Sequence, residues 1–145
     1  MIGVPAVAAV ALFVATSPLQ SAAATPVELG ETIFLAGACN TFGRKADLSL
    51  ERPLFEAFEA AHPELRPADI TAEAYAGAGA LQTRLDAGLA AIRTTADMDA
   101  WADEMADRCD AIAVAWPTLL ARTTDTPTRW AETRAKLARG YVPAD

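Results

Sequence analysis

The sequence predicts an all-α protein, a small helical bundle of about four principal helices stapled by one disulfide. Apolar residues recur every three to four positions in four separate segments, which is the spacing of an amphipathic helix. Prolines and capping residues mark the ends of these segments. No segment shows sustained alternation of apolar and polar residues between hairpin turns, so the sequence offers no candidate strand for a sheet.

The first helix is predicted to begin at Thr25, where a capping residue precedes Pro26 at the first helical position and Glu28 at the third. Its apolar positions recur at three to four residues and include Leu29, Ile33, Ala36 and Cys39. Cys39 is therefore expected on the buried face. We expect residues 43–47 to form a connection.

A second, shorter helix is predicted through Leu54, Phe55 and Phe58, with Pro53 near its start. It should end at His62, because Pro63 disfavours the helical conformation of the residue before it. A turn or irregular link over residues 63–67 should then lead into the next helix.

The third helix carries the longest apolar stripe, with a period of about 3.6 residues. Its members are Ile70, Ala74, Ala78, Leu81, Leu85, Leu89 and Ile92. Gly77 and Gly79 fall inside this helix, and each costs about 0.5 to 1 kcal/mol relative to Ala. They either permit close approach of another helix, which we favour, or break the helix.

The fourth helix is predicted to be capped by Thr95 and ended by Pro117. Its apolar stripe consists of Met98, Trp101, Met105, Cys109, Ile112 and Trp116. Four carboxylates cluster on the opposite side: Asp99, Asp103, Asp107 and Asp110. A short turn over 118–122 and a helical segment from Asp125, with Trp130, Arg134, Leu137 and Tyr141 along one side, should follow. We expect the three tryptophans to form the aromatic centre of the core.

Cys39 and Cys109 both fall on apolar faces, so the core should bring them together as a disulfide. That bond would stabilise the fold by roughly 4 kcal/mol in the chain-entropy picture. The alternative is two separate buried thiols, which exported proteins rarely retain. A catalytic redox pair would more typically show Cys-x-x-Cys, which this sequence lacks.

Residues 1–24 have the features of a signal peptide, with a short apolar stretch over 7–15 and small residues at Ala22 and Ala24. We expect cleavage after Ala24, a periplasmic or secreted location, and a single helical domain over 25–145 with no stable membrane insertion after processing. No Lys or Arg precedes the apolar stretch, which indicates either a weak signal or a start codon upstream. Ten Arg against two Lys, with abundant Ala, suggests a GC-rich bacterial genome.

An alternative is lipid attachment, because the stretch from Leu35 to Cys39 is similar to the box that precedes the modified cysteine of bacterial lipoproteins. Leu35 is one residue too far from Cys39 for that box. Glu28 and Glu31 would also lie inside what would have to be an apolar region. Lipidation would further leave Cys109 unpaired in an oxidising compartment, so we favour the signal peptide.

The formal net charge of −7 argues against nucleic acid and anionic membranes as partners. The face formed by Asp99, Asp103, Asp107 and Asp110 is most simply a solvated surface; a basic protein partner is the next interpretation, and a hard cation the least favoured. Like charges at this spacing cost only a few tenths of a kcal/mol each, so no ligand is needed to explain them.

No residue combination predicts catalysis or a cofactor. His62 is the only histidine and lies beside Pro63 at a helix end, where capping or a surface position is expected. Met98 and Met105 share a stripe with Trp101 and Ile112, so core packing is favoured over haem ligation. We therefore predict a non-enzymatic exported helical protein that binds another exported protein. The alternative is a bundle that carries a haem, a metal or an apolar molecule, and an enzyme using carboxylates alone comes third.

Overall fold

The computed structural model describes residues 23–122, 131–132 and 135, and it has the predicted all-α architecture. Its four principal helices are α1 (Pro26–Ala38), α2 (Glu51–Ala61), α3 (Pro67–Ala90) and α4 (Thr95–Ala115). Short 3-10 turns cover Cys39–Phe42 and Leu48–Leu50. The segment predicted from Asp125, including Trp130, lies almost entirely outside the described residues.

The helix ends follow the capping and proline signals closely. Thr25 caps α1 by accepting a hydrogen bond from the Glu28 backbone N–H at 3.2 Å. α2 ends at His62 before Pro63, as predicted. The cap of α4 is Thr94, one residue before the predicted Thr95, because Thr94 and Asp97 form a reciprocal capping box.

One expectation was wrong: the described chain contains a small sheet. Strand β1 (Arg44–Ala46) pairs antiparallel with β2 (Leu120–Arg122), where a connection and a turn were expected. Each strand has only three residues, so neither is long enough to show a period-two pattern. The pairing also joins segments more than seventy residues apart, which no local sequence signal specifies.

The disulfide between Cys39 and Cys109 is confirmed, with Cα atoms 5.7 Å apart. It joins the end of α1 to the middle of α4, and both cysteines are buried. The core around it includes Leu29, Phe58, Ile70, Met105, Leu119 and Leu120. Because the disulfide uses the Cys39 thiol, it speaks against the lipid-attachment alternative.

Helices α1 and α3 cross at very close range. A Cβ atom added at Gly30 would overlap the backbone carbonyl of Ala74, and one added at Gly77 would lie 2.9 Å from Val27. α3 runs unbroken through both of its predicted glycines. The close-approach prediction is therefore confirmed for Gly77 but wrong for Gly79, where an added Cβ would meet nothing within 4 Å.

The described tryptophans differ in burial, although all were expected in the core. Trp116 is buried, whereas Trp101 is half-buried, with its ring centroid 5.9 Å from that of Phe42. The other inward positions of α4, Met98, Met105, Cys109 and Ile112, are buried as predicted.

Candidate binding groove

An open groove of about 680 Å³ lies beside the α1–α3 crossing and is closed on its third side by the start of α2 and the 3-10 turn before it. Six of its lining residues are glycine or alanine: Gly30, Gly37, Ala38, Ala74, Ala78 and Gly79. Their small side chains leave the space that larger residues would fill. The groove is therefore a product of residue size along two helices that are held close together.

Large apolar side chains form the rest of the surface. Phe34 comes from α1, Phe55 from α2, Tyr75 from α3 and Leu48 from the 3-10 turn. Tyr75 is 62% exposed and Leu48 is 48% exposed. Large apolar side chains exposed together around a hollow are typical of interaction sites rather than of ordinary surface.

The polar side chains of this groove are few. Among the described residues that line it, Glu51 is the one with a charged side chain, and Tyr75 and Gln82 complete the polar set. The Tyr75 hydroxyl donates to Glu51 Oε1 at 3.3 Å, and the Tyr75 ring stacks on Phe55 with centroids 6.3 Å apart. These two contacts hold Tyr75 in place while leaving most of its ring accessible.

A second hollow of about 370 Å³ adjoins the groove and shares Leu48, Glu51, Phe55 and Tyr75 with it. The neighbouring cation Arg52 lines this second hollow, and its Nε lies 2.8 Å from Glu56 Oε1. Glu51, Phe55 and Tyr75 thus stand at the junction of the two hollows.

The predicted acidic face is spread along the outer side of α4. Asp103, Asp107 and Asp110 are exposed, and Asp99 is half-buried. Asp110 forms an ion pair with Arg44 of β1, whose side chain is only 7% exposed. Asp110 of this face therefore has a cation partner inside the chain, and the interpretation of the face as a docking surface for a cationic partner stays a prediction.

His62 lies at the C-terminal end of α2, where its ring stacks on Phe58 with centroids 4.3 Å apart. Its Nδ1 is 3.1 Å from Glu64 Oε1. Hydrogen bonds to its own backbone N–H and to His62 lower the pKa of Glu64. The surroundings of His62 are thus those of a residue at a helix end, as expected.

The described residues contain no group of three or more His, Cys, Asp or Glu side chains placed to hold a metal ion. None of their helices is both long and apolar enough to cross a membrane.

Sequence reasoning missed the groove because its walls come from three separate segments. Phe34 and Tyr75 fall outside the apolar stripes of their helices, and an aromatic residue on the outer side of a stripe is the signal that could have pointed to it. Comparison with known proteins adds no relative, since no protein-family model, curated protein or solved structure matches this chain.

Proposed function

We propose that this protein is an exported, non-enzymatic binding module whose groove receives an apolar segment of another exported protein. The observation that carries the proposal is the groove itself, which is lined mainly by apolar side chains and opens to solvent beside Tyr75 and Leu48. Tyrosine is enriched at the energetic centres of protein interfaces, because one large rigid ring supplies both apolar area and a hydroxyl group.

The dimensions suit a helical segment. The α1 wall from Gly30 to Ala38 is about 12 Å long at 1.5 Å per residue, which is roughly two helical turns. A partner helix could place apolar residues at positions i, i+3 or i+4, and i+7 along such a wall. The glycines and alanines that line the groove would permit its close approach.

Export is supported by the N-terminal sequence and by the disulfide. Disulfides persist in oxidising compartments and are rare in the reducing cytosol. The proposed partner is therefore a protein that meets this one in the periplasm or outside the cell.

A small apolar molecule is the second candidate, because pockets for such ligands have volumes of about 300 to 1,000 Å³. They also bury most of the ligand surface. The exposure of Tyr75 and Leu48 favours a protein segment, which can cover them from outside.

Site-specific photo-crosslinking tests the proposal. A photoreactive phenylalanine analogue replaces Tyr75 in the groove, and the same analogue replaces Val114 as a control, which is 84% exposed on α4. We expect the analogue at position 75 to give one discrete adduct with an exported protein, absent from the control. Absence of an adduct at position 75, or the same adducts at both positions, would contradict the proposal.

Gly79 offers a matched pair of variants for the same experiment. A side chain placed there projects into open space at the groove, so Gly79→Ala should leave the adduct intact. Gly79→Gln would put an amide where the partner is apolar and should remove most of the adduct, because the buried amide lacks a hydrogen-bond partner. Native mass spectrometry of the purified protein checks the second candidate, which predicts a bound small molecule that Gly79→Gln displaces.

A further inference from the structure

We infer that the segment received by the groove carries an arginine, and that this arginine binds where Glu51, Phe55 and Tyr75 meet, a place named here the Glu51 corner. The inference rests on the proposed function and specifies the chemistry of the partner. It is carried by three features of the corner: one carboxylate, one exposed aromatic face and the absence of a competing cation among the described lining residues of the groove.

The carboxylate is the first feature. Glu51 is the one charged side chain among the described residues that line the groove, and it is half-buried. Within the described part of the chain, its carboxylate accepts one side-chain hydrogen bond, from Tyr75 at 3.3 Å. Because an ionised carboxylate has about four acceptor positions, it can still receive the parallel N–H groups of a guanidinium.

The aromatic face is the second feature. The ring planes of Phe55 and Tyr75 are inclined by 22°, so the two rings lie nearly parallel beside Glu51. A guanidinium placed over the exposed Tyr75 ring would gain a cation–π contact. Because stacking and the hydroxyl contact already hold that ring, little of its conformational freedom would be lost on binding.

The third feature concerns the surrounding charges. Each cation of α2 and α3 has its own carboxylate partner: Arg52 pairs with Glu56, and Arg84 pairs with Glu31 at 2.7 Å. Residues 23–122 also carry sixteen Asp and Glu against eight Lys and Arg. The negative electrostatic potential from this excess of carboxylates therefore attracts a cationic segment and disfavours an anionic one.

A displayed library of amphipathic helical peptides tests the inference. Its members carry varied apolar residues at positions i, i+4 and i+7, and one fully randomised position at the edge of that face. Selection on the purified protein, with Gly79→Gln protein as the counter-selection, retains peptides that bind in the groove. We expect arginine to be enriched at the randomised position.

The selected peptides then allow a double-mutant comparison. Replacing the arginine by citrulline, its neutral analogue, should weaken binding to the natural protein about five- to tenfold, the scale of one partly exposed ion pair with a cation–π contact. The preference should disappear on Glu51→Gln and shrink on Tyr75→Leu. It should persist on Glu59→Gln, which removes a carboxylate of α2 that does not line the groove and leaves the Arg52–Glu56 ion pair in place.

Each contrary result has a separate meaning. Groove-binding peptides without a basic preference, or with a preference that Glu51→Gln leaves unchanged, would overturn the inference while leaving the proposed function intact. Failure to select any peptide whose binding Gly79→Gln reduces would overturn both. A dimer of the protein that Gly79→Gln dissociates would show that a second copy fills the groove, and that too would overturn the inference.

Discussion

The α1–α3 crossing and the groove beside it are formed by the same two helices, yet they are packed in opposite ways. At the crossing, backbone meets backbone so closely that Gly30 has no room for a methyl group. Directly beside this contact, a volume of about 680 Å³ stays open, and Gly30 and Ala74 themselves line it. Loose packing cannot explain the groove, because α1 and α3, which border it, are in direct backbone contact at Gly30 and Ala74.

The part of α1 that forms the groove wall is fixed at both of its ends. This wall begins at Gly30, held by α3, and ends next to Cys39, held by the disulfide to α4. A wall fixed at both ends keeps its shape when the groove is empty, so a partner would not have to organise it. Preorganisation of this kind reduces the cost of binding.

The largest expected effect on stability comes from removing the disulfide that fixes the groove wall at Cys39. Replacing both cysteines by serine should lower the free energy of unfolding by about 4 kcal/mol, since the bond closes a loop across a sequence separation of 70 residues. Urea denaturation followed by circular dichroism measures it. Equal stability of the natural protein and the double variant would show that the disulfide does not hold the wall.

The second-largest effect on stability is expected from disturbing the contact with α3 at Gly30. Gly30→Ala forces the two backbones apart and should cost about 3 kcal/mol, at the upper end of overpacking effects. Gly79→Ala is the matched control on α3, where the added methyl group meets open space. This control should stabilise the protein by about 0.5 to 1 kcal/mol through helix propensity. If both substitutions had the same effect, the contrast between the crossing and the groove would be lost.

A third prediction compares Asp110, which is ion-paired with Arg44, with two exposed carboxylates of α4. Asp110→Asn weakens the ion pair of a buried arginine and should cost about 2 kcal/mol. Replacing Asp103 and Asp107 by Asn should change the free energy of unfolding by no more than about 0.5 kcal/mol, the size usual for exposed positions. Marked unfolding of the Asp103 and Asp107 variant would show that these carboxylates support the fold, and the same denaturation experiment reports it.

The smallest effect on stability is expected at the N-terminal cap of α4, which contributes no residue to the groove. Thr94→Ala should cost about 1 kcal/mol, because the Asp97 backbone N–H loses its acceptor. Hydrogen bonds from the backbone of Arg93, and then from Thr94, lower the pKa of Asp97. Because the folded-state pKa is lowered, the stability that the Asp97 carboxylate contributes is present above its unfolded pKa and is lost as pH falls through the folded pKa.

Asp97→Asn checks that sign, because it should remove part of the acid sensitivity of the protein. Thermal unfolding at a series of acidic pH values measures the difference. An unchanged pH dependence in the variant would contradict the assigned role of Asp97.

The predictable parts of the fold are those encoded by neighbouring residues. Thr25-Pro26 and His62-Pro63 identify helix ends, and the stripe through Met98 and Cys109 identifies a buried face. The ribbon of β1 and β2 was not predictable, because Arg44 meets Arg122 only after the helices have packed. The same reason hides the groove: nothing local to Tyr75 shows that Phe55 and Glu51 will lie beside it.

Binding in the groove is tested most directly by a map of amide chemical-shift changes when a selected groove peptide is added to the isotopically labelled protein. We expect changes concentrated at Phe34, Phe55, Tyr75 and Gly79, which line the groove. We expect none along the outer side of α4 at Asp103 and Asp107. Changes that follow the acidic face and leave the groove untouched would contradict binding in the groove and would identify α4 as the docking surface.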